Sequence, residues 1–486
     1  MVIRFEDVSF SYAGNDCDGL APLNVTIADG ECILLCGRSG SGKTTFTRLI
    51  NGLIPNFYAG TLSGRVIVND HVVAETPMYQ LAEQVGSVFQ NPRTQFFNTD
   101  TDSEIAFGCE NGALPAEALH RRVAETEKVL QIEHLSGRSL FALSGGEKQK
   151  IAFASIYAMN PDIYLLDEPS SNLDMDAIAA LKETIALLKA QGKTVLVAEH
   201  RLYYLMDVID RAFYFEGGRL TQIFTPEALL ALPADRRACM GLRAVDLRRE
   251  TPAGVVTHAA GKTLTLRNFS LRYKKQRVLS QLNLSVHGGE VVAIVGHNGA
   301  GKTTFSRALC GLHKEQDGQV LVDGVVQSRR ALMKQSYLVM QDVNYELFAE
   351  SVAKESVFGI AHPDLALAEK TLEDLALAAY RDWHPNTLSG GQKQRLAVAV
   401  SMVCHKDLLV FDEPTSGLDL DNMLRVAALI HRLAQMGKIV FVATHDYEFV
   451  CRVCQRVLHL DGQHLVDDFA IAPENMEKLR RLFAAH

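Results

Sequence analysis

One pattern constrains this chain more than any other: an eight-residue, glycine-rich stretch ending in Lys-Thr occurs twice. Gly37-Arg38-Ser39-Gly40-Ser41-Gly42-Lys43-Thr44 returns as Gly296-His297-Asn298-Gly299-Ala300-Gly301-Lys302-Thr303. Two further stretches repeat in the same order. Leu143-Ser144-Gly145-Gly146 returns as Leu388-Ser389-Gly390-Gly391, and Leu166-Asp167-Glu168-Pro169 returns as Phe411-Asp412-Glu413-Pro414. Lys43 and Lys302 are 259 positions apart, whereas Ser144 and Ser389, like Glu168 and Glu413, are 245 apart, so most of the length difference falls between the first two motifs. Repetition on this scale divides the 486 residues into two copies of one domain of roughly 230 residues each, rather than one oversized core.

The expected division is a first domain over 1–235, a linker over 236–262 and a second domain over 263–486. Arg236-Arg237, Arg243, Arg248-Arg249-Glu250 and Thr251-Pro252-Ala253-Gly254 make the join polar and proline-containing. Its shortness suits one compact body better than two independent modules. Within each copy, apolar strand-like runs (31–36, 163–166 and 194–198 in the first) alternate with helix-like segments. That alternation predicts an α/β fold, a parallel sheet covered by helices.

Composition excludes several function classes. A hydrophobic content of 47% with 22% charged residues is that of a globular protein. The net charge of −8 argues against direct nucleic-acid binding by bulk charge. The 9 cysteines, an odd number scattered without framework spacing, suggest reduced thiols in a cytosolic compartment. Cys451-x-x-Cys454 lacks the second pair that a zinc site needs. The N-terminus has no signal-peptide core, and no apolar run approaches the ~18 residues of a membrane span. Any transport role must therefore borrow its membrane path from partners.

The repeated loop matches G-x-x-x-x-G-K-[ST], and in both copies it follows an apolar strand, Glu31 to Cys36 and Val291 to Val295. Glycines let backbone N–H groups converge on phosphate oxygens, and the following helix adds its positive end. Lys43 and Lys302 are expected to reach the terminal phosphates, and Thr44 and Thr303 to ligate Mg²⁺. Gly37, Ser39, Gly40, Gly42 and Thr45, with Gly296, Asn298, Gly299, Gly301 and Thr304, complete the two loops. Asp167 and Asp412 are expected to hold Mg²⁺ through its water shell. Glu168 and Glu413 then face the attacking water, because neighbouring residues on a strand point opposite ways. Ser144, Gly145 and Gly146, with Ser389, Gly390 and Gly391, stand at predicted helix starts over 147–159 and 392–403. Each trio makes a second anion cradle, best explained as serving the other copy's nucleotide.

Taken together, these motifs resemble an ATP-binding-cassette ATPase, twice over nearly the whole chain. The resemblance implies tandem P-loop domains, each with a helical signature subdomain and an antiparallel β subdomain. It implies that Tyr12 and Tyr273 stack on adenine, although either could be an ordinary strand aromatic. Gln90 and Gln341 match the glutamine that touches Mg²⁺ and water, Asp174 and Asp419 the aspartate that communicates across the dimer, and His200 and His445 the γ-phosphate switch. The two copies would form a head-to-tail pseudo-dimer within one chain. Ser171-Asn172-Leu173-Asp174, where the second copy has Gly417, and Glu147 and Lys150, where it has Gln392 and Arg395, make the two sites chemically unequal.

A narrower resemblance lies in Phe89-Gln90-Asn91-Pro92-Arg93-Thr94-Gln95-Phe96-Phe97, Asn51 to Pro55 and Met340 to Phe348. These look like the duplicated ATPase of energy-coupling-factor importers, prokaryotic systems for vitamins and transition-metal ions. The partners so implied are a membrane-embedded coupling subunit and a small substrate-binding membrane subunit, with the ATPase peripheral on the cytoplasmic face. Phe96, Phe97 and Phe348 would line a groove for the coupling subunit's helices, with core packing as the alternative for Phe96 and Phe97. The competing expectations are the ATPase of another importer class and a soluble tandem cassette ATPase acting on ribosomes. The second would be expected to carry a long charged linker and a more basic surface.

Overall fold

The computed structural model describes residues 3–171, 173–252 and 261–483. The chain divides into two units, Met1–Val245 and Asp246–His486, each built on the same plan. The boundary falls inside the stretch that the sequence marks as a linker. Much of that stretch is folded: Met240, Leu242 and Val245 are buried in the first unit's core, and Glu250 pairs with Arg452 of the second unit at 3.0 Å. Residues 253–260 of the expected linker and Asn172 lie outside the described residues.

In the first unit, the strands Val85–Val88, Ile163–Asp167, Thr194–Ala198 and Cys32–Gly37 run parallel, with Arg211–Glu216 beside them and Arg219–Phe224 turning back antiparallel at the edge. The parallel strands are continuously apolar because both faces are covered, one by the helices Gly145–Met159 and Met175–Ala190 and the other by the helix Lys43–Ile50 with the antiparallel sheet, which leaves no solvent side to alternate toward. A separate four-stranded antiparallel sheet orders Asn15–Ile27, Ile3–Tyr12, Gly60–Val68 and His71–Val72. The second unit repeats both sheets: Ser336–Val339, Leu408–Asp412, Ile439–Ala443, Val291–Val295, Arg456–Asp461 and His464–Ala470 in one, with the four antiparallel strands from Thr263 to Val326 in the other. The expected α/β tandem architecture is the observed one. Helices Gly145–Met159 and Gly390–Val403 begin two residues earlier than the apolar pattern indicates, because Ser144 and Ser389 cap them.

The central parallel strands end together at one edge of each sheet, and the loops leaving that edge carry the motifs. This is the usual consequence of parallel α/β topology: ligands gather beyond the carboxyl ends of the strands. No helix among the described residues is long and apolar enough to cross a membrane.

Candidate nucleotide sites

Each phosphate loop is built by its glycines. Gly37 has φ of 140°, and a Cβ there would lie 2.2 Å from the Phe215 carbonyl oxygen; Gly296 has φ of 154° and would meet the Leu460 carbonyl oxygen at the same distance. Only glycine lets the strand pass into the loop so close to its neighbour. The helices that follow, Lys43–Ile50 and Lys302–Leu309, start at Gly42 and Gly301 without a side-chain cap. Their first N–H groups are thus left for an anion rather than for a capping hydroxyl. Lys43 is buried, and its Nζ donates to the Gly37 and Arg38 carbonyls at 2.9 Å each. Lys302 does the same to Gly296 and His297, at 2.7 and 3.0 Å. The ammonium spans the loop at the place where a phosphate oxygen would compete as a charged acceptor.

Asp167 closes its strand beside Thr44, and Asp412 closes its own beside Thr303, each pair joined by a side-chain hydrogen bond. Burial pushes the Asp167 carboxyl up to about 6; the Glu168 charge adds to this, while Lys43, Arg48 and the Thr44 hydroxyl oppose it. Asp412 is likewise raised by burial, against Thr303, Lys302 and Arg307. The structure corrects the expected reason why the adjacent glutamates face elsewhere. Glu168 and Glu413 lie beyond the strands and adopt left-handed backbone, with φ of 45° and 52°. A turn, not strand alternation, separates the two carboxylates, and its strain sits at the expected reaction centre. Each glutamate N–H donates to the end of the neighbouring strand, Ala198 or Ala443, at 2.8 Å, which holds the turn in place.

The two glutamates have different partners. Glu168 accepts from Gln90 Nε2 at 2.6 Å and lies 3.4 Å from His200 Nε2. Glu413 accepts from the Thr444 hydroxyl and the His445 backbone N–H, both at 3.1 Å, with His445 Nε2 at 3.8 Å. Behind His200 lies a residue that the motif reading missed. Glu199 is only 2% exposed; it accepts from the N–H groups of His200, Arg201 and Ser170 and from the Tyr204 hydroxyl. A charge within the apolar strand pattern Val195 to His200 was the available signal, since a buried carboxylate must be satisfied. The second unit braces the same corner with Asp446, which accepts from the Thr415 hydroxyl and the Phe449 N–H.

At the signature helices, Ser144 Oγ accepts from the Glu147 N–H at 3.3 Å while Glu147 accepts from the Ser144 N–H at 2.7 Å. Ser389 and Gln392 make the same reciprocal pair. The box occupies the serine oxygen as an acceptor and leaves its O–H proton to donate outward. Gly145 and Gly390 have nothing within 4 Å of a Cβ position, so the backbone there is open to an incoming anion. In the first unit Arg138 pairs with Glu147 at 3.0 Å.

Asp174 and Asp419 cap the helices Met175–Ala190 and Leu420–Gln435, a structural task the motif reading did not foresee. Tyr12 is half-buried, its hydroxyl accepting from Arg48 at 3.0 Å and paired with Thr45 at 3.2 Å. Tyr273, in contrast, presents an exposed ring with Lys274 above it. Thr44, Arg48, Tyr58, Gln90 and Asp167 line one cavity of about 480 Å³. Around Gln90 and Gln341, buried carboxylates hold matching turns: Glu104 accepts from the Phe97 and Asn98 N–H groups, Glu355 from those of Phe348 and Ala349. Phe97 is 74% exposed and stacks on Phe107; Phe348 is 69% exposed beside Phe358. Phe96 instead packs against the cluster of Ile105, Leu135 and Ile151, as the core-packing alternative expects. A last difference lies in the same turns. Gln95 accepts from the Phe89 N–H, whereas Glu346 accepts from the Met340 N–H, and burial pushes the Glu346 carboxyl up to about 8 against that hydrogen bond.

Paired phosphate loops, strand-end carboxylates and capped signature helices define a duplicated nucleoside-triphosphatase. The ABC transporter family model matches residues 20–171 and 279–416. A Treponema denticola protein described as an ABC transporter ATP-binding protein is 48% identical over 481 residues, covering 98% of both chains. A second from that organism, with the same description, is 39% identical and covers 97% of each. The chain belongs to the ABC transporter ATPase family, and it is a tandem ATP-binding ATPase. Among solved structures, the archaeal ribosome recycling factor aABCE1, in complex with ribosomal stalk protein aP1, superposes with a TM-score of 0.66 at 23% identity, covering 98% of this chain and 92% of that one. At that identity the likeness is one of fold.

Proposed function

We propose that the chain is the ATPase subunit of a membrane importer for a vitamin, vitamin precursor or transition-metal ion, working through a membrane-embedded coupling subunit and a small substrate-binding subunit. The observation that carries this reading is the exposed aromatic pair that follows the glutamine turn in both units, Phe97 on Phe107 and Phe348 near Phe358. Exposed rings at matching positions are costly unless a partner covers them. In the first unit that turn also delivers Gln90 to Glu168, so an apolar partner on Phe97 would be linked to the reaction centre through one hydrogen bond.

Within this reading, Lys43 and Lys302 bind the terminal phosphates, and the uncapped helix starts supply N–H donors. Tyr12 and Tyr273 lie against adenine. The oxygen donors Thr44, Asp167 and Gln90, with Thr303, Asp412 and Gln341, suit Mg²⁺, a hard cation that favours the ionised form of a buried carboxyl such as Asp167. When bound, that ion neutralises charge on the β- and γ-phosphates. Glu168 and Glu413 orient water and accept its proton, and His200 and His445 donate to the γ-phosphate. Each signature cradle, at Ser144 and Ser389, serves the other copy's nucleotide, with Asp174 and Asp419 passing the state of one site to the other.

The membrane part is tested by Phe97→Asp with Phe348→Asp. The doubly substituted chain should remain folded and hydrolyse ATP yet leave the membrane fraction, and retention at the wild-type level would refute the coupling surface. The crossed part is tested by nucleotide trapping in a Glu168→Gln, Glu413→Gln background. Lys43→Ala with Ser389→Arg should leave one trapped ATP per chain, Lys43→Ala with Ser144→Arg essentially none. Equal trapping would rule the crossing out.

A further inference from the structure

Away from the nucleotide motifs, the first unit brings two carboxylates together with no positive group to offset them. Asp102 stands in the first turn of the helix Thr101–Asn111, and Glu127 near the end of the helix Ala116–Val129. Asp102 accepts from the Gly137 N–H at 2.7 Å, from the Thr101 hydroxyl at 3.1 Å and from the Ser136 hydroxyl at 3.2 and 3.3 Å. Glu127 lies beside that same serine and the Asp102 carboxylate; burial first, and the Asp102 charge second, push its carboxyl above the usual range. Other buried carboxylates of this unit are satisfied, Glu104 by two backbone N–H groups and Glu199 by three and a tyrosine hydroxyl. Glu127 is only 8% exposed, yet its Oε1 has no hydrogen-bond partner. Among the described residues neither Glu127 nor Asp102 has an ion pair, and Arg138, two positions after Ser136, is taken by Glu147. A buried carboxylate with an open oxygen and an acidic neighbour calls for a positive charge between them.

The second unit has the same backbone here without the pair. The Glu127 carbonyl accepts from the Ile132 N–H at 2.9 Å as the Leu372 carbonyl does from the Leu377 N–H at 2.7 Å. The Thr101 N–H donates to the Arg138 carbonyl, and the Val352 N–H to the Trp383 carbonyl, at 3.0 Å each. On this correspondence Ala353 stands for Asp102, Leu372 for Glu127 and Arg381 for Ser136. Leu372 is 1% exposed, so an apolar side chain meets the packing needs of that position. The carboxylate at 127 is therefore not required by the fold.

We propose that Asp102 and Glu127 bind a hard divalent cation, Mg²⁺, in the first unit only and apart from the nucleotide sites. The donors are all oxygens, which select a hard ion. Among the described residues no three His, Cys, Asp or Glu side chains converge as a metal centre. An ion here would accordingly hold two carboxylates and complete its shell with the Ser136 hydroxyl and water, which is the habit of Mg²⁺. It would tie the helix that follows the Phe97 turn to the helix Ala116–Val129 and to the segment Ser136–Arg138. Arg138 in turn pairs with Glu147 of the signature cap, so the ion would brace the path between the aromatic turn and the signature helix in one half of the molecule.

The test uses the full, nucleotide-free chain and Mn²⁺, which replaces Mg²⁺ and whose free form is counted by electron paramagnetic resonance. The wild-type chain should bind one more Mn²⁺ than Glu127→Leu, which copies Leu372, and excess Mg²⁺ should displace that ion. Asp102→Ala, which copies Ala353, should weaken the same ion by about tenfold or more, because affinity follows the charge of the ligands. Fe²⁺ loaded in its place, with ascorbate and peroxide, should cut the backbone near Asp102, Glu127 and Ser136, well apart in sequence from cuts around Thr44, Gln90 and Asp167. Thermal unfolding establishes that each variant is folded, and Glu127→Gln, which keeps the shape and removes the charge, serves where Glu127→Leu is not. Equal Mn²⁺ counts in the wild-type chain and a folded Glu127 variant overturn the proposal and leave a shared proton as what offsets the two carboxylates. Cleavage confined to the nucleotide loops overturns it as well.

Discussion

Glu168 and Glu413 occupy corresponding positions, leave their strands through the same left-handed turn, and are nevertheless held by different groups. Glu168 is bonded to Gln90, a side chain 78 positions earlier on the loop that also carries Phe97. Glu413 is bonded to Thr444 and His445, the residues immediately beyond the neighbouring strand. The backbone of a duplicated domain can thus stay constant while the side chains around its proposed reaction centre give each copy different partners. The first carboxylate is linked to a surface loop, the second to its own sheet. The signature boxes differ in the same spirit: Glu147 brings a negative charge to its cradle and needs Arg138 to offset it, whereas neutral Gln392 does not.

The largest expected effect removes the feature both halves share. Glu168→Gln together with Glu413→Gln should bind ATP normally and lower turnover by roughly 10²- to 10⁴-fold, the usual cost of losing a general base. Steady-state phosphate release measures this, and near-wild-type turnover would refute the role of both residues. The two single variants then weigh one half against the other.

Next in size is the brace behind His200. Glu199→Ala removes the acceptor of three buried N–H groups and should destabilise the first unit by about 2–4 kcal/mol. Denaturant unfolding should show the first unit melting earlier with the second unchanged. If both units shift equally, the brace is not local to its corner.

A smaller effect depends on pH. Glu346 holds its proton up to about 8 in the folded chain, because burial penalises its charge, whereas an unfolded glutamate releases it near 4.5. The raised value means that its contribution is fully present below about 4.5 and is lost as pH rises through about 8. Glu346→Gln, which copies Gln95 of the first unit, should raise the melting temperature of the second unit by a few °C at pH 9, on the order of 1 kcal/mol, and do little at pH 5. Equal effects at both pH values would show that burial of this carboxyl is not the cause.

The smallest expected change is Thr444→Val. It removes one hydroxyl donor from Glu413 and one acceptor from the Asp446 N–H, for about 1 kcal/mol of stability. In a Glu168→Gln background it should alter the remaining turnover a few-fold. The corresponding loss in the first half is Gln90→Leu in a Glu413→Gln background. A response confined to Gln90→Leu would mean that the Thr444 bond is packing alone.

Much of this protein is legible in its residues. The doubled phosphate loop, the strand-end Asp-Glu pair and the serine-led helix starts specify local backbone that few sequences adopt by accident, because glycine torsions, helix caps and apolar runs act over short distances. They determined the family, the tandem α/β plan and where along the chain the proposed nucleotide residues stand. What the residues could not reveal depends on contacts across long separations. Phe96 turns into a core while its neighbour Phe97 stays exposed, a choice made by Glu104 holding the turn between them and the following helix. Glu168 leaves the strand axis through a torsion that no alternation rule contains. Gln149 and Gln394 share a motif position, yet Gln394 Nε2 donates to the Glu413 carbonyl while Gln149 Nε2 has no hydrogen-bond partner. Local motifs recur because each is satisfied by its own few residues. Partnership and burial are settled only when distant segments pack, and there the two copies were free to diverge.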